Sequence, residues 1–154
     1  MGKEPATIVA LFARGRDLSY AVFHEGVLIR FGMKSIRGKR RGTSFQRAVA
    51  DAIIPLLGSS PSPIVVMERS GNESRLGALY RTLSRLQAWG CKKECICLVS
   101  LSEAKNRWCG STRATHDQLQ EAVLSRHAAL HACPRSTVLG ISLAVALGET
   151  ARAI

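Results

Sequence analysis

Ile64-Val65-Val66-Met67-Glu68 is an apolar run closed by a carboxylate, bounded by Gly58-Ser59-Ser60-Pro61 before it and Arg69-Ser70-Gly71-Asn72 after it. A short apolar run between turn residues reads as a buried strand. Its last residue then stands at the C-terminal edge of a sheet, where α/β folds collect their ligands. Glu68 is the first candidate for a metal ligand or general base, and whether it has partners decides what the chain can do.

Upstream, Thr7 to Ala13, Leu18 to His24 and Val27 to Met33 are three apolar stretches separated by Arg14-Gly15-Arg16-Asp17 and Glu25-Gly26. Short turns between such stretches predict an antiparallel three-strand meander. Lys34 to Gly42 follows as a basic, glycine-punctuated loop. Thr43-Ser44-Phe45-Gln46 then has the form of a capping box, with Phe45, Val49, Ile53 and Leu56 at helical spacing behind it.

Downstream of Glu68, Leu76, Leu79, Tyr80, Leu83 and Leu86 predict a second amphipathic helix, and Cys95 to Leu101 a fifth strand. Ser102 is placed to cap a short helix through Trp108. Thr115-His116-Asp117-Gln118 is another capping box, with a helix to about Leu130, and a last helix spans Ser136 to about Ala151. Three antiparallel strands followed by helix, strand, helix, strand and helices predict one α/β domain over residues 1–154, with a mixed five-stranded sheet and helices on both faces.

The chain has 154 residues, with 22 Lys and Arg against 11 Asp and Glu and a formal charge of +11. An excess spread along the whole chain is the electrostatic footprint of a nucleic-acid binder. The basic residues do not gather beside one amphipathic helix, and no apolar stretch approaches the roughly 20 residues of a membrane span, so no membrane partner is expected. Five cysteines and no secretory pattern point to a reducing, cytoplasmic setting. Cys91, Cys95 and Cys97 cluster, with Cys109 or His116 as a conceivable fourth ligand. There is no second paired ligand motif, so these thiols are expected to be small buried apolar residues and not a zinc site.

The order of elements, with a carboxylate ending the fourth strand, resembles the ribonuclease H-like fold. The C-terminal half is closer to one branch of it: Glu103-Ala104-Lys105-Asn106-Arg107-Trp108-Cys109-Gly110, then Thr115-His116-Asp117-Gln118-Leu119-Gln120, then Ile141-Ser142-Leu143-Ala144-Val145-Ala146-Leu147. In this order and spacing the segments resemble the RuvC family of Holliday-junction resolvases, from about Thr7 to Leu147. The resemblance implies a homodimeric nuclease that holds two Mg²⁺ ions between an Asp of the first strand, a Glu of the fourth, and two Asp three residues apart at the start of the last helix.

Carried onto this chain, the Glu falls on Glu68, the first-strand Asp on Phe12, and the helix pair on Val138 and Ile141. One carboxylate cannot neutralise and orient two hard cations, and apolar side chains supply no oxygen ligands. Asp17, Asp117, Glu121 and Glu149 are poorly placed to substitute. The family's aromatic wedge after the Glu is replaced by Arg69-Ser70-Gly71-Asn72-Glu73.

The reading is therefore a catalytically degenerate, RuvC-like nucleic-acid-binding protein that prefers branched or double-stranded DNA, with RNA as the other candidate and no cofactor. Its contacts are assigned to Arg14, Arg16, Lys34, Arg37, Lys39, Arg40, Arg41, Arg69, Arg75, Lys105, Arg107, Arg113 and His116. The alternatives are a Mg²⁺-dependent junction endonuclease using Glu68 with other ligands, and a scaffold whose basic face meets an acidic protein.

Overall fold

The computed structural model describes residues 7–14, 17–35, 51–53, 55–56, 63–69 and 96–152. Strands β1 (Thr7–Arg14), β2 (Asp17–His24) and β3 (Val27–Ser35) form the meander. They are followed by β4 (Ile64–Glu68), β5 (Ile96–Val99) and helices α1 (Leu101–Cys109), α2 (His116–Arg126) and α3 (Arg135–Arg152), with a 3-10 turn at Ala128–Ala132 before α3.

The sheet order is β3-β2-β1-β4-β5, with β1, β2 and β3 antiparallel and β1, β4 and β5 parallel. This is the mixed ribonuclease H-like sheet that the sequence predicts. The β2–β3 hairpin turns on Glu25 (φ 50°) and Gly26 (φ 83°). Two successive positive φ angles match the twist of the flanking strands, which is why a glycine stands there.

Strand alternation divides the sheet into two apolar layers. Ile8, Ala10, Phe12, Ala21, Phe23, Val66 and Val99 face α1, α2 and α3, whereas Val9, Leu11, Leu18, Tyr20, Val22, Val65 and Met67 pack with Ile53 and Leu56 from the helical residues 51–53 and 55–56. Helices thus cover both faces. The core of the first layer is α3, whose residues Ile141 to Gly148 are all buried. It seats closely because a Cβ at Gly148 would meet Phe23 Cε2 at 2.6 Å and Ala10 Cβ at 3.0 Å.

Several boundaries differ from expectation. Strand β5 stops at Val99, and Ser100, not Ser102, caps α1 by accepting from Glu103 N at 3.1 Å. The capping box at Thr115 forms as predicted, with Thr115 N donating to Gln118 Oε1 and Gln118 N to Thr115 Oγ1. Helix α2 ends at Arg126, short of Leu130, where the chain tightens into the 3-10 turn. Asp17 belongs to β2, where its backbone stands opposite Arg14 in the β1–β2 register. The expected helices behind Thr43 and at Leu76 to Leu86 lie mainly or wholly outside the described residues.

Candidate functional site at the C-terminal edge of the sheet

In the β1–β4 register Leu11 pairs with Met67, so the next residues along these parallel strands are Phe12 and Glu68. Alternation sends both toward the α3 layer: Val66 and Phe12 belong to that layer, while Met67 and Leu11 belong to the other. On its far side Glu68 pairs with Val99, and Arg69 N donates to Val99 O at 2.7 Å.

Helix α3 closes the site from above. Ser19 pairs with Phe12 across β1 and β2, and a Cβ at Gly140 would collide with Ser19 Oγ. The first turns of α3 therefore lie over Phe12. Ile141 shares its apolar cluster, and Val138 stands one turn earlier on the helix. Phe12 is 7 % exposed, Val138 8 % and Ile141 2 %, while Glu68 is half-buried. The four residues aligned by the resemblance are thus brought to one end of the sheet, three of them as dry apolar side chains.

This donor set does not fit a pair of hard cations, which need several oxygen ligands each. Among the described residues no three His, Cys, Asp or Glu side chains gather where a metal ion could sit. The other acids have tasks of their own. Asp17 Oδ1 accepts from Ser35 Oγ at 2.8 Å, and Glu149 lies 2.8 Å from His127 Nε2 and 3.9 Å from Arg126. Asp117 and Glu121 are exposed on α2.

The basic residues are distributed over both faces. Lys34 lies on the face opposite Glu68, donating to Ala52 O at 2.8 Å with its ammonium 5.6 Å from the Tyr20 ring centre. Burial, and then the charge of Arg30, hold its pKa below the usual lysine value. Arg69, Arg107, Arg113 and His116 are exposed and Lys105 is half-buried, on the segments from the end of β4 and from α1 to the start of α2. Arg16, Arg37, Lys39, Arg40, Arg41 and Arg75 lie outside the described residues, as does the side chain of Arg14.

Of the cysteines, Cys97, Cys109 and Cys133 are free and half-buried against the α3 layer. Burial raises the Cys97 thiol, more than the nearby Arg69 lowers it, and burial alone raises Cys133. Cys91 and Cys95 lie outside the described residues. No helix among the described residues is long and apolar enough to cross a membrane.

Sequence reasoning passed over an open depression between α1 and α2, lined in part by Trp108, Arg113, Gln118 and Glu121. The available signal was the spacing of Gln118, Glu121 and Ala122, which puts the three on one helix face.

The sheet order and the crossing of α3 over the β1–β2 pair give a ribonuclease H-like fold. Within that class the fold is RuvC-like. The chain matches the Thermus thermophilus RuvC structure with a TM-score of 0.66 at 15% identity, over 94% of this chain and 92% of that one. It matches T. thermophilus RuvC in complex with Holliday junction substrate with a TM-score of 0.70 at 10% identity, over the same shares of the two chains. Neither a protein-family model nor a curated protein matches the sequence.

Proposed function

We propose that the protein is a catalytically degenerate RuvC-like domain that binds DNA, preferentially branched or double-stranded, without cutting it. The observation that carries this reading is the composition of the strand-end site: one carboxylate, Glu68, beside the buried apolar side chains of Phe12, Val138 and Ile141. Apolar residues fill the space that hydrated metal ions would need, and an unpaired acid buried there would cost several kcal/mol, roughly, so the replacements stabilise a fold released from catalysis.

Binding is supported by the charge of +11 and by the likeness to a structure solved with a Holliday junction. Arg and Lys contacts to phosphates give affinity that tolerates sequence and falls with salt. The protein acts as a homodimer, as the resemblance implies, in an architectural or accessory role, and its free cysteines suit a reducing cytoplasm.

The test is a gel shift of a labelled four-way junction and a matched duplex across a salt series. The reading expects a shifted junction whose affinity falls steeply, with a log–log slope of about −0.9 per phosphate contact. Failure to bind either DNA at low salt overturns it.

A further inference from the structure

The depression between the end of α1 and the first turns of α2 has a volume of about 540 Å³ and is lined by Trp108, Cys109, Arg113, Gln118, Glu121 and Ala122 among others. That size is typical of small-ligand clefts. Its walls differ in chemistry. Trp108 is half-buried, with the Arg126 guanidinium 5.1 Å from its ring centre, and its indole N–H is buried with no acceptor among the described residues. Gln118 Oε1 is held by Thr115 N at 2.8 Å, so the side chain has only its NH₂ group left to offer as a donor. Arg113 adds an exposed guanidinium donor and Glu121 an exposed carboxylate acceptor.

A wall that includes the Trp108 indole, with a carboxylate and two donors, suits a flat ligand that has adjacent N–H groups beside acceptors. Among nucleobases guanine alone puts two neighbouring donors, N1–H and the N2 amino group, next to the O6 acceptor, with N7 beyond it. A carboxylate accepts both of the former, and amide or guanidinium donors reach the latter. Thymine has one N–H between two carbonyls, which a carboxylate repels.

We propose that the α1–α2 depression takes up a single unpaired guanine of a DNA strand, packed against Trp108 and held at its Watson–Crick edge by Glu121, with Gln118 and Arg113 donating to O6 or N7. The proposal rests on the nucleic-acid-binding reading and sharpens it. A bulge or a nick-opened end exposes an unpaired base, which a perfect duplex does not, and such a base leaves the stack at the lowest cost.

The test uses the full chain at low salt with three labelled duplexes: fully paired, with one bulged guanine, and with one bulged thymine. The expected result is about tenfold tighter binding of the bulged guanine than of the other two, the order of discrimination that one bidentate contact to a base edge gives. Glu121→Gln should abolish that preference, bringing the bulged guanine to the affinity of the bulged thymine. Trp108→Phe, which keeps an aromatic wall, should reduce it only partly.

Equal binding of all three duplexes overturns the pocket and leaves the DNA-binding reading standing, whereas binding of none overturns that reading and the pocket with it. Guanosine monophosphate serves as competitor: it should compete only at far higher concentration than the bulged strand. Tight binding of the free nucleotide would make the depression a mononucleotide site and refute its assignment to a strand.

Discussion

Replacing Ile141 by Asp would return an acid to the helix position that the resemblance assigns to a metal ligand, and comparing it with Ile141→Asn separates charge from shape. Ile141 is 2 % exposed and packs in the layer that contains Phe12. Removing such a side chain costs about 2–5 kcal/mol. At about 2–4 °C per kcal/mol for a domain of this size, Asn should lower the melting temperature by roughly 6–12 °C for a mid-range loss of about 3 kcal/mol. Asp should cost more. Burial in an apolar layer, with the Glu68 carboxylate on the adjoining strand, pushes its pKa up, and each unit adds about 1.4 kcal/mol when the group is ionised. A carboxyl raised in the folded state binds its proton more tightly there than in the unfolded chain. Its penalty is therefore full above the folded pKa and vanishes as pH falls toward the unfolded value of about 3.9. Thermal melts followed by circular dichroism from pH 4 to pH 7 should show the two variants together at pH 4 and Asp well below Asn at pH 7. Coincident melts at pH 7 would mean that the position is wet, and would refute the account of a dry site.

Three further outcomes follow from packing and burial. Gly148→Ala should lower the melting temperature, since overpacking against Phe23 and Ala10 costs about 1–3 kcal/mol against a helix-propensity gain of about 1 kcal/mol. Glu149→Gln, which weakens the 2.8 Å contact linking α3 to His127 at the end of α2, should cost about 1 kcal/mol in denaturant melts. Cys97 and Cys133, whose thiols burial holds above the ordinary pKa, should alkylate more slowly at pH 8 in the native protein than in the unfolded chain, read by mass spectrometry.

Much of the fold was legible because local signals agreed with tertiary demands. The apolar runs from Thr7 to Met33, the run ending at Glu68 and the Thr115 capping box each specify one local structure, and each formed. Boundaries were less legible where two residues could do the same work. Ser100 and Ser102 can both cap a helix, and the sheet decided for Ser100 by ending β5 at Val99.

The grouping of Glu68, Phe12, Val138 and Ile141 was legible only through the resemblance, because no periodicity joins residues so far apart in the chain. Lys34 shows the opposite failure. It reads as one member of a basic run, yet Tyr20 and the Ala52 carbonyl, both distant in sequence, engage its ammonium. The α1–α2 depression was hidden because it depends on the angle between two helices, which side-chain spacing alone does not set.

The most direct test of the central claim is incubation of the purified protein with a labelled four-way junction in Mg²⁺ or Mn²⁺, at salt low enough for binding. The account predicts a bound junction that stays intact. Symmetric cleavage abolished by Glu68→Gln would contradict it.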